Sequence, residues 1–180
     1  AVLVAYLPYN VSVPVLVHFL ETFPGLQRGV VMVQAEVAER LAAKPGSKIY
    51  GAPSVKAAWY GPWRLSGTVS RQVFWPVPNV DSLLVGFERD QHPRGSQDER
   101  RRTFAIVDAA FGQRRKMLRQ ALSGIFGSSA AASAVLEAAG VPPTARGEDL
   151  SVDDYQRIAQ QADSSNLAPC PIRASVTTSP

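Results

Sequence analysis

The chain carries one cysteine, Cys170, in 180 residues. An internal disulfide and a cysteine-rich metal site are therefore excluded. It carries two histidines, His18 and His92, which stand far apart and without the company of a metal-ligand set. No apolar run approaches the roughly 20 residues that cross a bilayer. The opening run, residues 1–5, is too short for a signal-peptide core and lacks its basic flank. No G-x-G pattern follows a strand-like segment, so the fingerprint of a strand-to-helix nucleotide loop is missing. There is no internal repeat and no nucleophile–base pair.

What is present suits a soluble globular chain: 46% hydrophobic and 19% charged residues. The net charge of +4 is a mild bias toward nucleic acid, and its distribution says more. Residues 94–119 hold eight basic side chains (Arg94, Arg100, Arg101, Arg102, Arg114, Arg115, Lys116, Arg119) against three acidic ones (Asp98, Glu99, Asp108). Concentrated positive charge is what a phosphate-binding surface needs.

Hydrophobic patterning divides the chain. Residues 1–5 (AVLVA) read as a central strand covered on both faces. A helix follows, with Ser12 as its cap, Pro14 in its first turn and Val15, Leu16, Phe19, Leu20 and Phe23 at helical spacing. Residues 29–34 (GVVMVQ) read as a second strand and residues 36–43 as a short helix. Residues 55–60 and 66–73 read as strands or extended segments, and residues 83–88 (LLVGFE) as the last strand. Residues 91–97 form a polar linker. From residue 98 to 162 the pattern is helical, with Ser151 capping the last helix. Residues 163–180 are rich in Ser, Thr, Pro and Ala and read as a disordered tail.

Three motifs carry chemistry. The first strand runs into Tyr6-Leu7-Pro8-Tyr9-Asn10, where Pro8 stiffens the backbone beside Leu7 and Tyr9 offers a face for a base. Phe74-Trp75-Pro76-Val77-Pro78-Asn79-Val80-Asp81-Ser82 is a second rigid aromatic segment, in which Phe74 suits a flipped-out base and Trp75 reads as packing. The third, residues 111–119 (FGQRRKMLR), is basic, and Gly112-Gln113 breaks a helix just before Arg114, Arg115, Lys116 and Arg119. These side chains suit phosphates through charge and paired hydrogen bonds. Arg100–Arg102 divide evenly between RNA contact and a solvated face.

In this order and separation, the three motifs resemble those of the small-subunit rRNA adenine N6,N6-dimethyltransferases, over nearly the whole chain. The resemblance implies an α/β fold: residues 1–90 as the C-terminal part of a Rossmann-like class I methyltransferase sheet, and residues 98–162 as a small helical rRNA-binding domain. It implies S-adenosyl-L-methionine as methyl donor, small-subunit rRNA or a pre-30S particle as partner, a cytoplasmic location, no membrane and a monomer. It places Tyr6, Leu7, Pro8, Tyr9 and Phe74 at the acceptor site, and Arg114, Arg115, Lys116 and Arg119 against RNA. Residues 48–51 (KIYG) and Ser54 resemble the family's loop near that site. Arg146-Gly147-Glu148 reads as an internal ion pair or loop contact.

Two departures stand out. The family has Asn where this chain has Tyr6, a position that also borders the donor, and the family's Gly-rich donor loop has no counterpart here. The expectation is an N-terminally truncated sequence. The alternatives are a non-catalytic rRNA-binding or ribosome-assembly protein, and a macrolide-resistance-type methyltransferase acting on the large subunit.

Overall fold

A computed structural model describes residues 1–8 and 11–162. Four strands form one sheet in the order β1-β2-β4-β3. β1 (Val2–Tyr6) pairs parallel with β2 (Arg28–Gln34), and α1 (Ser12–Thr22) makes the crossover. β4 (Ser82–Glu88) pairs antiparallel with both β2 and β3 (Trp63–Val69). Between β2 and β3 lie α2 (Ala35–Ala42) and α3 (Ala52–Ala58). The α/β class expected from the motifs is the fold observed.

One sheet face holds the core. Val31, Val33 and Val85 are fully buried there, and Leu16 and Leu20 of α1, Leu41 of α2 and Val55 of α3 join the same cluster. Gly29 lets β1 and β4 close in around β2, since a Cβ there would lie 2.6 Å from the Leu3 carbonyl and 2.7 Å from the Phe87 ring. The other face is different. Val2, Val4 and Tyr6 of β1 are exposed, Val4 by 82%. Among the described residues β1 is an edge strand with one open face, where the sequence reading has a central strand covered on both faces. A continuous apolar run states what a strand tolerates on each face, and not what covers it.

Three smaller readings are also corrected. Ser12 lies inside the first turn of α1 and is buried, while Val11 takes the cap position. Residues 52–58, read in part as a strand, are helical: Pro53 sits in the first turn and the Ser54 hydroxyl accepts the Gly51 amide at 3.0 Å. Val55 and Ala57 alternate like strand residues, yet both are buried because α3 packs against α1, α2 and the first helix of the C-terminal part at once. β3 ends at Val69, and residues 71–73 form a 3-10 turn capped by the Ser70 hydroxyl.

Beyond β4 the chain is helical: α4 (Gln97–Gly112), α5 (Leu118–Ala121), α6 (Ser123–Phe126), α7 (Ser129–Ala138) and α8 (Val152–Ala162). Ser96, Ser128 and Ser151 accept amides three residues ahead and start α4, α7 and α8. α8 packs on α4 around Tyr155, whose hydroxyl donates to the Gly147 carbonyl at 2.8 Å. Burial raises the Tyr155 and Tyr50 phenols far above their ordinary range. Tyr50 joins the two parts of the chain by donating to the Leu150 carbonyl at 2.7 Å. The Trp59 ring also meets Phe104 edge-on at 6.0 Å.

Arg100 belongs to this seam. It is 6% exposed, pairs with Glu21 and donates to the Tyr60 hydroxyl at 3.1 Å. Neither an RNA contact nor a solvated face describes it, because a partner 79 positions away in sequence fixes it inside. Among the described residues no helix is long and apolar enough to cross a membrane, and no group of three or more potential metal ligands forms.

Candidate active site

β1 delivers the first motif to the end of the sheet. The ladder continues one step past Tyr6, with the Leu7 amide donating to the Met32 carbonyl at 3.1 Å. Leu7 is buried and Pro8 exposed. The Pro8 carbonyl accepts the Val11 amide at 3.4 Å, which turns the chain toward α1. Tyr9 and Asn10 lie outside the described residues, as do residues 163–180.

The connection between β3 and β4 brings the second motif to the same place. The Phe74 ring lies 6.4 Å from the Tyr6 ring, centroid to centroid, at 34°. Phe74 is half-buried, and Tyr6 is more than half exposed. The connection is braced at both ends. Arg71 pairs with Asp81 at 2.7 Å, and the Asp81 carbonyl accepts the Ala35 amide at 2.9 Å, at the start of α2. Asp81 belongs to the second motif, whereas its partner Arg71 lies outside it, ten positions earlier. Trp75, read as packing, is 95% exposed and packs on nothing among the described residues. That reading is corrected: the Trp75 ring is presented outward while Phe74 turns in.

The third motif sits at the other end of α2. Gly112 ends α4, and residues 113–116 form a tight turn closed by the Lys116 amide on the Gln113 carbonyl at 2.8 Å. Arg114 faces inward, pairing with Glu148 at 2.9 Å and donating to the Lys48 carbonyl at 2.6 Å. Glu148 is thus the ion-pair residue expected in Arg146-Gly147-Glu148, and its partner is Arg114. Arg115 and Lys116 are exposed, and Arg119 is half-buried beside them. α2 spans the distance between the Asp81-bound Ala35 and the loop of Lys48, about 12 Å for eight residues. Ser54 fastens that loop by donating to the Arg40 carbonyl.

A cleft of about 830 Å³ lies at the opposite end of the sheet, lined by Glu21, Arg28, Tyr60, Glu88 and Arg89 among others. None of the motif residues lines it, and its mixed charge shows no single preference.

The described residues do not assemble a donor pocket. The outer face of β1 is bare apolar strand, with Val2, Val4 and Tyr6 exposed, and among the described residues no glycine-rich turn leaves a strand end.

Comparison with known proteins bears on the family of the chain. The family model described as ribosomal RNA adenine dimethylase matches residues 2–164. The chain is similar to the ribosomal RNA small subunit methyltransferase A of Leifsonia xyli subsp. xyli, 68% identical over 157 residues, 87% of this chain and 56% of that protein. It is 60% identical over 158 residues to the protein of that name from Streptomyces coelicolor, 88% of this chain and 55% of that protein. The chain thus spans about half the length of the curated relatives it matches. Among solved structures, a dimethyladenosine transferase from Plasmodium falciparum superposes with a TM-score of 0.78 at 19% identity, over 90% of this chain and 66% of that one. The 23S rRNA methyltransferase ErmE superposes at 0.63 with 21% identity, over 90% of this chain and 65% of that one. These two likenesses show a shared fold. With the three motifs in place and nearly its full length matched, the chain belongs to the ribosomal RNA adenine dimethylase family.

Proposed function

We propose that the protein to which this chain belongs transfers methyl groups from S-adenosyl-L-methionine to N6 of two adjacent adenines in small-subunit rRNA, as a cytoplasmic monomer acting on the rRNA or a pre-30S particle. The observation that carries the reading is the convergence of Leu7-Pro8 and Phe74 at one end of the sheet. The names of the relatives at 68% and 60% identity support the small subunit over the large one.

The chemistry asks little of the chain beyond positioning. The lone pair of an adenine amine is delocalised into the ring. Carbonyl oxygens that accept its N–H bonds draw the nitrogen toward tetrahedral geometry and free that pair. In this reading the Leu7 carbonyl is one acceptor, Pro8 fixes its direction, and Phe74 and Tyr9 hold the base that has left its stack, which offsets an unstacking cost of a few kcal/mol. Tyr6 is the weak point: a phenol oxygen is a poorer acceptor than an amide, and its ring faces Phe74. Residues 98–162 form the RNA-facing unit, with Arg115, Lys116 and Arg119 on phosphates and Arg114 setting their turn. Residues 1–90 form the methyltransferase part and residues 91–97 the linker.

The test is methyl transfer by the full protein to purified ribosomal subunits. Labelling of adjacent adenines in the small subunit supports the reading; labelling of the large subunit alone contradicts it. A non-catalytic RNA-binding protein is the second reading, motivated by Tyr6 at the position of the family's Asn. It expects RNA binding with a steep salt dependence and no donor binding.

A further inference from the structure

Trp75 is the most exposed large apolar side chain of the described residues, at 95%, and its neighbours Val73 and Val77 are exposed by 68% and 56%. A tryptophan left in water forgoes the burial that would stabilise a fold, so a ring held there by a rigid support calls for a ligand. The support is rigid. Pro76 and Pro78 restrict the backbone on one side of Trp75, and the Ser70-capped turn of residues 71–73 restricts the other. The Arg71–Asp81 pair and the Ala35–Asp81 hydrogen bond clamp the ends. Little ordering remains to be done on binding. The carboxylate of Asp81 is matched by Arg71, so no bare negative charge repels an RNA strand at this loop.

We infer that Trp75 is a stacking platform for the nucleobase next to the one held at Phe74. The inference rests on the acceptor-site reading above and extends it to a second base. Taking one base out of a strand breaks its stacking on both sides and leaves its neighbour with a bare face. Phe74 and Trp75 are consecutive, and one turns in while the other turns out. A strand that leaves one base against Phe74 meets Trp75 next. Because the two proposed acceptors are adjacent, the base on Trp75 while the first is methylated is the second acceptor or a flanking nucleotide. An indole accepts any base face, so Trp75 sets position along the strand and adds affinity without reading identity.

The test uses the full chain and a single-stranded RNA oligonucleotide containing two adjacent adenines. Trp59 and Trp63 are both 5% exposed, so the emission difference between the protein and its Trp75→Phe variant isolates Trp75. Stacking quenches that emission as RNA binds. Trp75→Leu keeps an apolar side chain without a π-face and weakens binding roughly 5- to 100-fold, whereas Trp75→Phe stays within a few-fold of the original. Neither variant changes the unfolding midpoint of the chain, since Trp75 packs on nothing among the described residues. RNA binding that leaves the Trp75 emission and the Trp75→Leu affinity unchanged overturns the inference and leaves the acceptor-site reading standing. No RNA binding by the unsubstituted protein overturns both.

Discussion

Arg114 holds Glu148 at 2.9 Å and the Lys48 carbonyl at 2.6 Å, so the first arginine of the basic segment fastens its turn to the loop at the end of α2. Its neighbours Arg115 and Lys116 are thereby left pointing into water. One basic run thus contains two kinds of cation, one structural and one available to phosphate.

That division has a measurable consequence. Replacing Arg115 and Lys116 together with Ala lowers RNA affinity and reduces the slope of log affinity against log salt by about 0.7 for each lost contact on a single strand. Stability changes by no more than about 0.5 kcal/mol, as for ordinary surface substitutions. Arg114→Ala does the reverse: it costs about 1–2 kcal/mol of stability through the unpaired Glu148 and the lost carbonyl bond, as urea unfolding would show.

The Glu21–Arg100 pair gives the fold an acid limb. The Arg100 hydrogen bond holds the Glu21 carboxyl below its ordinary value of 4.5. Burial opposes the Arg100 charge, and the Glu21 carboxylate and Tyr60 oxygen outweigh it, so that guanidinium keeps its proton more firmly than usual. A carboxyl depressed in the folded state contributes stability that is complete above its unfolded value and lost as pH falls through its folded one. Urea midpoints should therefore hold above 4.5 and drop below it. Glu21→Gln removes its part of that drop and costs about 1–2 kcal/mol at neutral pH, the lower range for a charged pair because a third of the Glu21 side chain meets solvent.

In the proposed reading Tyr6 takes the position of the family's Asn acceptor, and its ring lies 6.4 Å from that of Phe74. In the full protein, Tyr6→Asn should raise the rate of methyl transfer, by up to the roughly 10²–10³ that one positioned polar group contributes at a reacting centre. Single-turnover assays on small subunits would read it directly. Equal rates for the two proteins would mean that Tyr6 already serves, and that the amine is held otherwise.

The parts of the fold that showed in the sequence are those whose signal is local. β2 and β4 are apolar runs bounded by turn residues, and α8 begins at Ser151, which caps it. The α3 helix did not show, because Val55 and Ala57 alternate and its start depends on Ser54 reaching Gly51. Arg100 looked like any surface arginine until Glu21 and Tyr60 met it from distant segments. Trp75 looked like core because tryptophans usually are. At the candidate site, Leu7-Pro8 and Phe74 were each legible as rigid aromatic segments, but their meeting at one sheet end is a product of the β1-β2-β4-β3 order. The Arg71–Asp81 clamp and the inward turn of Arg114 are likewise tertiary facts that charge alone does not announce.

The central claim is that the end of β1 and the Phe74 loop hold the acceptor base. The most direct measurement is the single-turnover rate of methyl transfer to purified small subunits by the full protein and its Phe74→Ala and Phe74→Tyr variants. The account predicts a loss of about tenfold or more for Phe74→Ala, in line with about 1–3 kcal/mol for a base–aromatic stack, and near-retention for Phe74→Tyr. Transfer by Phe74→Ala at the unsubstituted rate would contradict it.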